Sequence, residues 1–298
     1  MARSTKLKIL WLQSITCNGN THSFFSHPNF MTLMQKFEVI YHPILDSKYS
    51  LDNVINKKLT CDILVLEGAF RETGMQKADR EIYEIAKSYA KKAKHVITVG
   101  NCSTFGGVFR LYDPESIGGF CFNDETPNEA YKLFKRKLIS LPGCPAHPRW
   151  IGNLLSMILS QRQILLDNFH RPIEVYGYSA HAGCPRNEYF EWKVDSKNYG
   201  HKEGCLFYEY GCQAPYTHAN CNKILWNEVS SKTRVGTPCF GCTEPYFPKK
   251  DLWHTNTLMG IPATMPMDVP RRAYLTITGI AKSFSIKRLN EPIIKYKK

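Results

Sequence analysis

Three cysteines in the first half of the chain stand just beyond apolar, strand-like segments. Cys17 follows residues 7–12, Cys102 follows residues 95–99, and Cys144 follows residues 136–141. Because ligands gather outside the carboxyl ends of the strands in an open α/β sheet, the three thiols are expected to converge on one site. Glycines near them would let the backbone approach a bulky inorganic group. The alternative is three independent buried cysteines.

Strand-like and helix-like segments alternate through this half of the chain. The apolar runs typical of strands are 7–12, 37–41, 62–66, 95–99 and 136–141, and the stretches with apolar residues at helical spacing are 76–93 and 150–166. This alternation predicts an α/β fold, with a doubly wound parallel sheet and helices on both of its faces.

The second half of the chain has a different character. From about His170 it is rich in Gly, Pro, Asn, Tyr and Cys and has little regular periodicity. A loop-rich region of this size rarely packs by apolar burial alone, so bound metal is expected to hold it together. We therefore predict two domains, residues 1–168 and residues 169–298.

The number of cysteines and the net charge limit the classes of function that the chain can have. The chain has 298 residues, 11 of them cysteines, and a formal net charge of +13. Its first residues show no export signal, so we expect a cytoplasmic protein whose thiols stay reduced and serve as metal or cluster ligands. The charge suits an acidic partner protein or electron carrier. Neither a nucleic-acid motif nor an apolar run of membrane-spanning length is present, so any membrane association would run through partners.

The second half holds two further groups of candidate ligands. One group contains His181, Cys184, Cys205 and Cys212, and the other contains Cys221, Cys239 and Cys242. Cysteine thiolates with an occasional histidine hold iron–sulfur clusters, but one histidine with three cysteines is also a structural zinc set. Three ligand groups in one chain favour an electron relay over structural zinc. Cys61 and Cys121 fit neither group and are predicted to be free thiols.

Several short segments follow one another along the chain. They are Cys17-Asn-Gly-Asn20, Glu67-Gly-Ala, Gly100-Asn-Cys102, Leu141-Pro-Gly-Cys144-Pro, His181-Ala-Gly-Cys184-Pro-Arg, Gly211-Cys212-Gln-Ala-Pro, Cys221-Asn, Pro238-Cys239-Phe-Gly-Cys242-Thr-Glu-Pro and Ile277-Thr-Gly-Ile-Ala-Lys. In this order they resemble the small subunit of nickel–iron hydrogenases, over residues 7–285. The resemblance implies a flavodoxin-like domain followed by a loop-rich cluster-binding domain.

The resemblance also implies three clusters in a line. A proximal cluster would use Cys17, Cys102 and Cys144; a distal [4Fe-4S] cluster would use His181, Cys184, Cys205 and Cys212; a medial [3Fe-4S] cluster would use Cys221, Cys239 and Cys242. Electrons from H2, oxidised at a nickel–iron site in a separate hydrogenase large subunit, would pass through them to an acceptor protein. This chain would then hold no catalytic residue of its own.

The proximal motif departs from the family pattern. The family has Cys-x-Gly-Cys where this chain has Asn20 in the second cysteine position, and His22 replaces a usual glutamate. Asn20 or a water could complete an unusual cluster, a three-iron cluster could form, or the site could be empty. The type of the proximal cluster is therefore left open. Two alternative functions follow, namely a non-catalytic accessory or sensory iron–sulfur protein and a zinc-stabilised binding module.

Overall fold

A computed structural model describes residues 6–258, 261–265 and 270–283. Five parallel strands form its central sheet: β1 (Leu7–Gln13), β2 (Phe37–Tyr41), β3 (Ile63–Glu67), β4 (His95–Val99) and β5 (Leu138–Leu141). Their order across the sheet is β5-β4-β3-β1-β2. This is the flavodoxin-like order, so the predicted doubly wound sheet is confirmed.

The strands are apolar because most of them are covered on both faces. All residues of β3 are buried, as are all of β5, and strands in this environment read as continuous hydrophobic runs. In the register of the sheet, Gln13 pairs with Glu67 and Glu67 with Val99. The ends of β1, β3 and β4 therefore lie side by side.

Helices cover the sheet. They are α1 (Gly19–Phe25), α2 (Phe30–Met34), α3 (Leu51–Asn56), α4 (Ile82–Lys92), α5 (Asn101–Phe105), α6 (Gly107–Tyr112), α7 (Glu129–Phe134), α8 (Pro148–Leu159) and α9 (Ile173–Tyr176). Three antiparallel pairs of two-residue strands lie in the connections: Phe70–Arg71 with Ile117–Gly118, Gln76–Lys77 with Arg80–Glu81, and Phe122–Asn123 with Thr126–Pro127.

Two helix predictions need correction. The helix expected over 76–93 begins only at Ile82, because residues 76–81 form a short hairpin with Ala78 and Asp79 at positive φ. The helix expected over 150–166 spans Pro148–Leu159. It starts earlier because the His147 ring accepts a hydrogen bond from the Arg149 N–H, and it stops where Gln161 takes a left-handed φ of 53°.

The chain forms two compact units. One contains the residues up to Tyr178 together with Gly241–Lys249, and the other contains Ser179–Phe240 with the described residues from Lys250 onwards. The predicted domain boundary near residue 168 stays a prediction, and the last 15 residues of the predicted second domain lie outside the described residues.

The second unit is rich in loops, as expected. Its regular elements are α10 (Asn187–Glu191), α11 (Phe207–Tyr210), a 3-10 turn (Ala214–Tyr216), the strand pair Thr257–Leu258 with Ile261–Pro262, and α12 (Arg271–Ser283). In the described part of the chain, no helix combines the length and the apolar character needed to cross a bilayer.

Candidate metal centres

The loops that carry Cys17, Cys102 and Cys144 meet at the carboxyl end of the sheet. A Cβ atom built on Gly19 would lie 3.2 Å from the sulfur of Cys17 and 3.7 Å from Cβ of Pro145, which follows Cys144. Cys17 and Cys144 are exposed, and Cys102 is half-buried at the start of α5. Burial raises the pKa of the Cys102 thiol to about 11, and the nearby Cys17 acts in the same direction. The structure therefore brings the three loops together.

Two glycines make this close packing possible. Gly100 lies between β4 and α5 with a φ of +89°, and a Cβ atom there would collide with the side-chain amide of Asn20. Gly107 has a φ of +53°, and its Cβ would lie 2.8 Å from the sulfur of Cys102. Both positions combine a left-handed backbone with a neighbour in contact, so only glycine is accommodated without strain.

Glu67 organises the loop after β1. This carboxylate ends β3 and is fully buried. Its two oxygens accept six hydrogen bonds, from the side chains of Trp11, Gln13, Thr16 and Thr21 and from the backbone N–H groups of Asn20 and Thr21. Donors from the backbone and from neutral side chains thus compensate for the lost hydration of the charge. In this way Glu67 holds residues 16–21, which include Cys17.

Asn20 connects two of the cysteine loops. Its side chain is buried, and its Oδ1 accepts a hydrogen bond of 2.8 Å from the backbone N–H of Ala146, two residues after Cys144. Its amide nitrogen packs against Gly100, two residues before Cys102. The side-chain oxygen of Asn20 therefore already has one partner within the protein. His22, the other departure, is exposed on α1.

The four predicted distal ligands surround one cavity within the second unit. His181, Cys184, Cys205 and Cys212 all line it, and the other lining residues are Arg186, Leu206, Phe207, Ala214, Pro215 and Thr233. The ring of His181 packs edge-on against Phe190, with the ring centroids 4.5 Å apart. A mainly apolar wall with convergent thiols and an imidazole has the donor set of an iron–sulfur site.

Hydrogen bonds reach two of the cavity's sulfur atoms. The N–H of Phe207 donates to Cys205 Sγ at 3.4 Å, and the N–H of Cys239 donates to Cys212 Sγ at 3.2 Å. Burial raises the pKa of each of these thiols to about 12. Burial, aided by the charge of Lys193, lowers the pKa of His181 to about 4. The imidazole is therefore neutral at ordinary pH, which leaves a nitrogen lone pair for a metal.

Arg186 supports the walls of this cavity, a role that was not predicted from the sequence. It is buried, and its guanidinium donates to the carbonyl oxygens of His201, Glu203, Gly204 and Thr233. These bonds tie the loop before Cys205 to residue 233. The available signal was a charged residue two positions after Cys184 in a loop-rich region, although sequence alone does not tell a buried arginine from an exposed one.

The predicted medial ligands fall in both compact units. Cys221 and Cys239 belong to the second unit, where they join the same hydrophobic cluster as Cys205 and Cys212. Cys242 belongs to the segment Gly241–Lys249, which packs with the first unit. There the side chain of Asn101 donates to the carbonyl oxygens of Cys242 and Glu244, at 3.0 and 2.9 Å. The three-thiolate medial set stays a prediction.

The remaining cysteines lie away from these groups. Cys61 and Cys121 are unpaired thiols buried in the hydrophobic core of the first unit, and burial raises the pKa of both. Within residues 6–258, 261–265 and 270–283, no three His, Cys, Asp or Glu side chains are close enough to share one metal ion. The ligands of an iron–sulfur cluster do not have to be this close to one another, because each of them binds a separate iron.

The fold and the three groups of thiols define a flavodoxin-like α/β protein with a cysteine-rich second unit. Residues 17–158 match the family described as NADH ubiquinone oxidoreductase, 20 kDa subunit. Residues 176–254 match the family described as the C-terminal part of the NiFe/NiFeSe hydrogenase small subunit. The two matches follow one another along the chain. The second half of the chain is therefore assigned a similarity to nickel–iron hydrogenase small subunits, and the first half a similarity to the NADH ubiquinone oxidoreductase subunit.

Individual relatives agree with this assignment. The chain is 34% identical over 193 residues to the periplasmic [NiFe] hydrogenase small subunit 1 of Nitratidesulfovibrio vulgaris, a match that covers 62% of this chain and 59% of the relative. It is 28% identical over 275 residues to the quinone-reactive Ni/Fe-hydrogenase small chain of Wolinella succinogenes, covering 84% and 72%. The chain thus spans little more than half the length of the first of these two relatives.

Solved structures share the fold. The structure of the reduced, active Ni-Fe-Se hydrogenase from Desulfomicrobium baculatum superimposes with a TM-score of 0.71 at 24% identity. The superposition covers 85% of this chain and all of that chain. At this identity the likeness shows the architecture, and the chemistry has to be argued from the residues themselves.

Proposed function

We propose that this chain is the electron-transfer small subunit of a nickel–iron hydrogenase. It would take electrons from H2 oxidised in a separate large subunit and pass them to an acceptor protein. The observation that carries this proposal is the cavity of the second unit, because four residues chosen from sequence as ligands of one cluster all line it. These four residues come from separate positions between residues 181 and 212, and the fold brings them to one cavity.

The donor sets suit iron–sulfur chemistry. His181, Cys184, Cys205 and Cys212 would hold a distal [4Fe-4S] cluster, and Cys221, Cys239 and Cys242 a medial [3Fe-4S] cluster. Such clusters accept and release single electrons. The N–H groups of Phe207 and Cys239 point at two of the sulfurs. Hydrogen bonds to cluster sulfurs are one way in which a protein sets the reduction potential.

Short connections join the ligand groups within each unit, which supports a relay. In the first unit the side chain of Asn101, the residue before Cys102, donates to the carbonyl of Cys242. In the second unit the N–H of Cys239 donates to the sulfur of Cys212. A predicted proximal ligand is thereby linked to a medial one, and a medial ligand to a distal one. These bonds bring residues of neighbouring ligand groups close together.

The second candidate function is a non-catalytic accessory or sensory iron–sulfur protein. The observation in its favour is Asn20, which replaces a thiolate and whose side-chain oxygen is hydrogen-bonded to Ala146. Such a protein would keep its distal and medial clusters without taking part in H2 turnover. A zinc-stabilised binding module is the remaining alternative, since one imidazole and three thiolates also suit zinc. The geometry of the described residues speaks against it, because no three such side chains there are close enough to share one ion.

Anaerobic purification with native partners separates the three candidates. Iron, sulfide, zinc and nickel are measured per chain, together with the electron paramagnetic resonance spectrum. A small subunit of a working hydrogenase carries iron and sulfide and purifies together with a nickel-containing chain. Iron with no nickel-containing partner supports the accessory protein, and zinc without iron rejects electron transfer.

The location is tested separately. A cytoplasmic location stays a prediction, and one relative above is periplasmic by name. Fractionation of the native host, with known cytoplasmic and periplasmic proteins as markers, decides between the two. Recovery of the chain in the periplasmic fraction would contradict the prediction.

A further inference from the structure

We propose that the proximal site binds a three-iron cluster through Cys17, Cys102 and Cys144 alone, and that Asn20 clamps the surrounding loops without binding iron. This inference rests on the proposed function, because it requires a chain that loads iron–sulfur clusters. It follows from the hydrogen bonds that Asn20, Ser23 and Glu67 already make within the first unit.

The oxygen of Asn20 is engaged. It accepts the 2.8 Å hydrogen bond from the N–H of Ala146. Turning this oxygen towards a metal would leave the buried N–H of Ala146 without a partner, which is unfavourable. The amide nitrogen of Asn20 packs against Gly100, so that atom is also confined. An amide oxygen is in any case a poor ligand for iron in a sulfur-rich site.

Asn20 acts together with Ser23 as a clamp. Both residues lie on α1 and both are buried. Ser23 donates its hydroxyl to the carbonyl oxygen of Ala146 at 2.5 Å, while Asn20 accepts from the N–H of the same residue. The helix that follows Cys17 therefore holds the loop that carries Cys144 at two points. A cysteine in place of Asn20 would lose one of these two bonds and add a thiolate.

The neighbouring carboxylate is not a substitute ligand. Each oxygen of Glu67 already accepts three hydrogen bonds, including those from the backbone of Asn20 and Thr21. Moving Glu67 to an iron would break this network and release the loop that holds Cys17. Three thiolates then remain, and they match a cluster with three ligated irons, as the three thiolates predicted for the medial site do.

The test compares iron content in three proteins. Wild type, Asn20→Cys and Ser26→Cys are purified anaerobically with their partners and measured by native mass spectrometry. Ser26 is exposed at the end of α1, so its replacement adds a thiol to the same segment away from the cysteine loops. We expect Asn20→Cys to hold one more iron per chain than wild type, and Ser26→Cys to match wild type. Equal iron in wild type and Asn20→Cys overturns the proposal.

A second comparison addresses the clamp and does not depend on the cysteine variant. Asn20→Ala and Ser23→Ala each remove one bond to Ala146, so both are expected to lower proximal iron loading to a similar, partial extent. Complete loss in Asn20→Ala with normal loading in Ser23→Ala would identify Asn20 as a ligand and overturn the proposal.

Failure of this inference is distinguishable from failure of the proposed function. A wild-type chain that lacks iron at every site rejects the proposed function. A chain that holds distal and medial iron but no proximal iron overturns only the three-thiolate site. Cys205→Ser identifies the distal signal, because that residue lines the distal cavity.

Discussion

Glu67 is a buried carboxylate whose two oxygens accept hydrogen bonds from neutral donors. Its partners are the side chains of β1 and the backbone at the start of α1. At the scale of the residue, this explains how an exposed loop with Cys17 is held in place. The strand that carries Glu67 is buried in the sheet, and the backbone of the loop after β1 is bonded to the Glu67 carboxylate.

Replacement of Glu67 by alanine tests this role. Six donors would lose their acceptor, and each buried donor left unpaired costs about 1–3 kcal/mol, although some would find water. We expect the free energy of unfolding to fall by about 3 kcal/mol or more, measured by denaturant unfolding of the purified protein.

Glu38→Ala is the matched control. Glu38 forms an ion pair of 3.0 Å with Lys48, and both side chains are partly exposed. Surface pairs of this kind contribute about 0–1 kcal/mol. Similar losses in the two variants would contradict the organising role of Glu67.

Gly100 offers a second test at this scale. Alanine there meets both a positive φ and the side chain of Asn20, whereas alanine at Gly74 meets a φ of +85° with nothing within 4 Å. The backbone cost of about 1–2 kcal/mol should be common to both variants. We expect the Tm of Gly100→Ala to lie clearly below that of Gly74→Ala. Equal melting temperatures would show that Asn20 moves aside freely.

At the scale of the element, parallel strands could be predicted more accurately than helix ends. The five strands fall within two residues of their predicted bounds because a doubly covered strand has to be apolar along its length. The end of α8 was missed because the left-handed turn at Gln161 leaves no mark in the apolar pattern. The short hairpin at 76–81 was missed for the same reason.

The distal cavity is also assembled at this scale, from residues on four short loops. Cys205→Ser should remove the iron of the distal cluster, because a serine hydroxyl is a weaker ligand for iron than a thiolate. Cys61→Ser is the matched control, because this thiol lies in the core of the first unit. Iron per chain, measured after anaerobic purification, should fall only in Cys205→Ser. An equal loss in both variants would indicate unfolding and contradict the assignment of Cys205.

At the scale of the whole molecule, the first unit contains a segment from late in the chain, Gly241–Lys249, which follows most of the second unit in sequence. Arg171 is buried and holds the returning segment Gly241–Lys249. Its guanidinium donates to Asp167 at 2.7 Å, to the carbonyl of Thr243 at 3.1 Å and to Glu244 at 3.3 Å. Cys242 lies in this segment, so the bonds of Arg171 to the next two residues help to position a predicted medial ligand.

Arg171→Leu should therefore be strongly destabilising. It removes the cation that lies 3.3 Å from the buried carboxylate of Glu244, and breaking a buried pair on one side costs about 3–5 kcal/mol. Arg162→Leu is the control, because the pair of Arg162 with Glu174 is exposed, with its atoms 3.5 Å apart. Thermal unfolding of both variants gives the comparison. A Tm for Arg171→Leu as high as that of the control would contradict the role of Arg171.

The parallel sheet and the position of three cysteines after its strands could be predicted from the amino-acid sequence, while the grouping of the other thiols into two clusters stays a prediction. These features are local, because apolar runs and the residues that follow them can be read along the chain. Tertiary structure alone decided that Asn20 bonds to Ala146, that Glu67 is buried among six donors and that Arg171 holds the returning segment. These contacts join residues far apart in the chain, and a polar residue carries no sign in sequence of which distant partner will satisfy it.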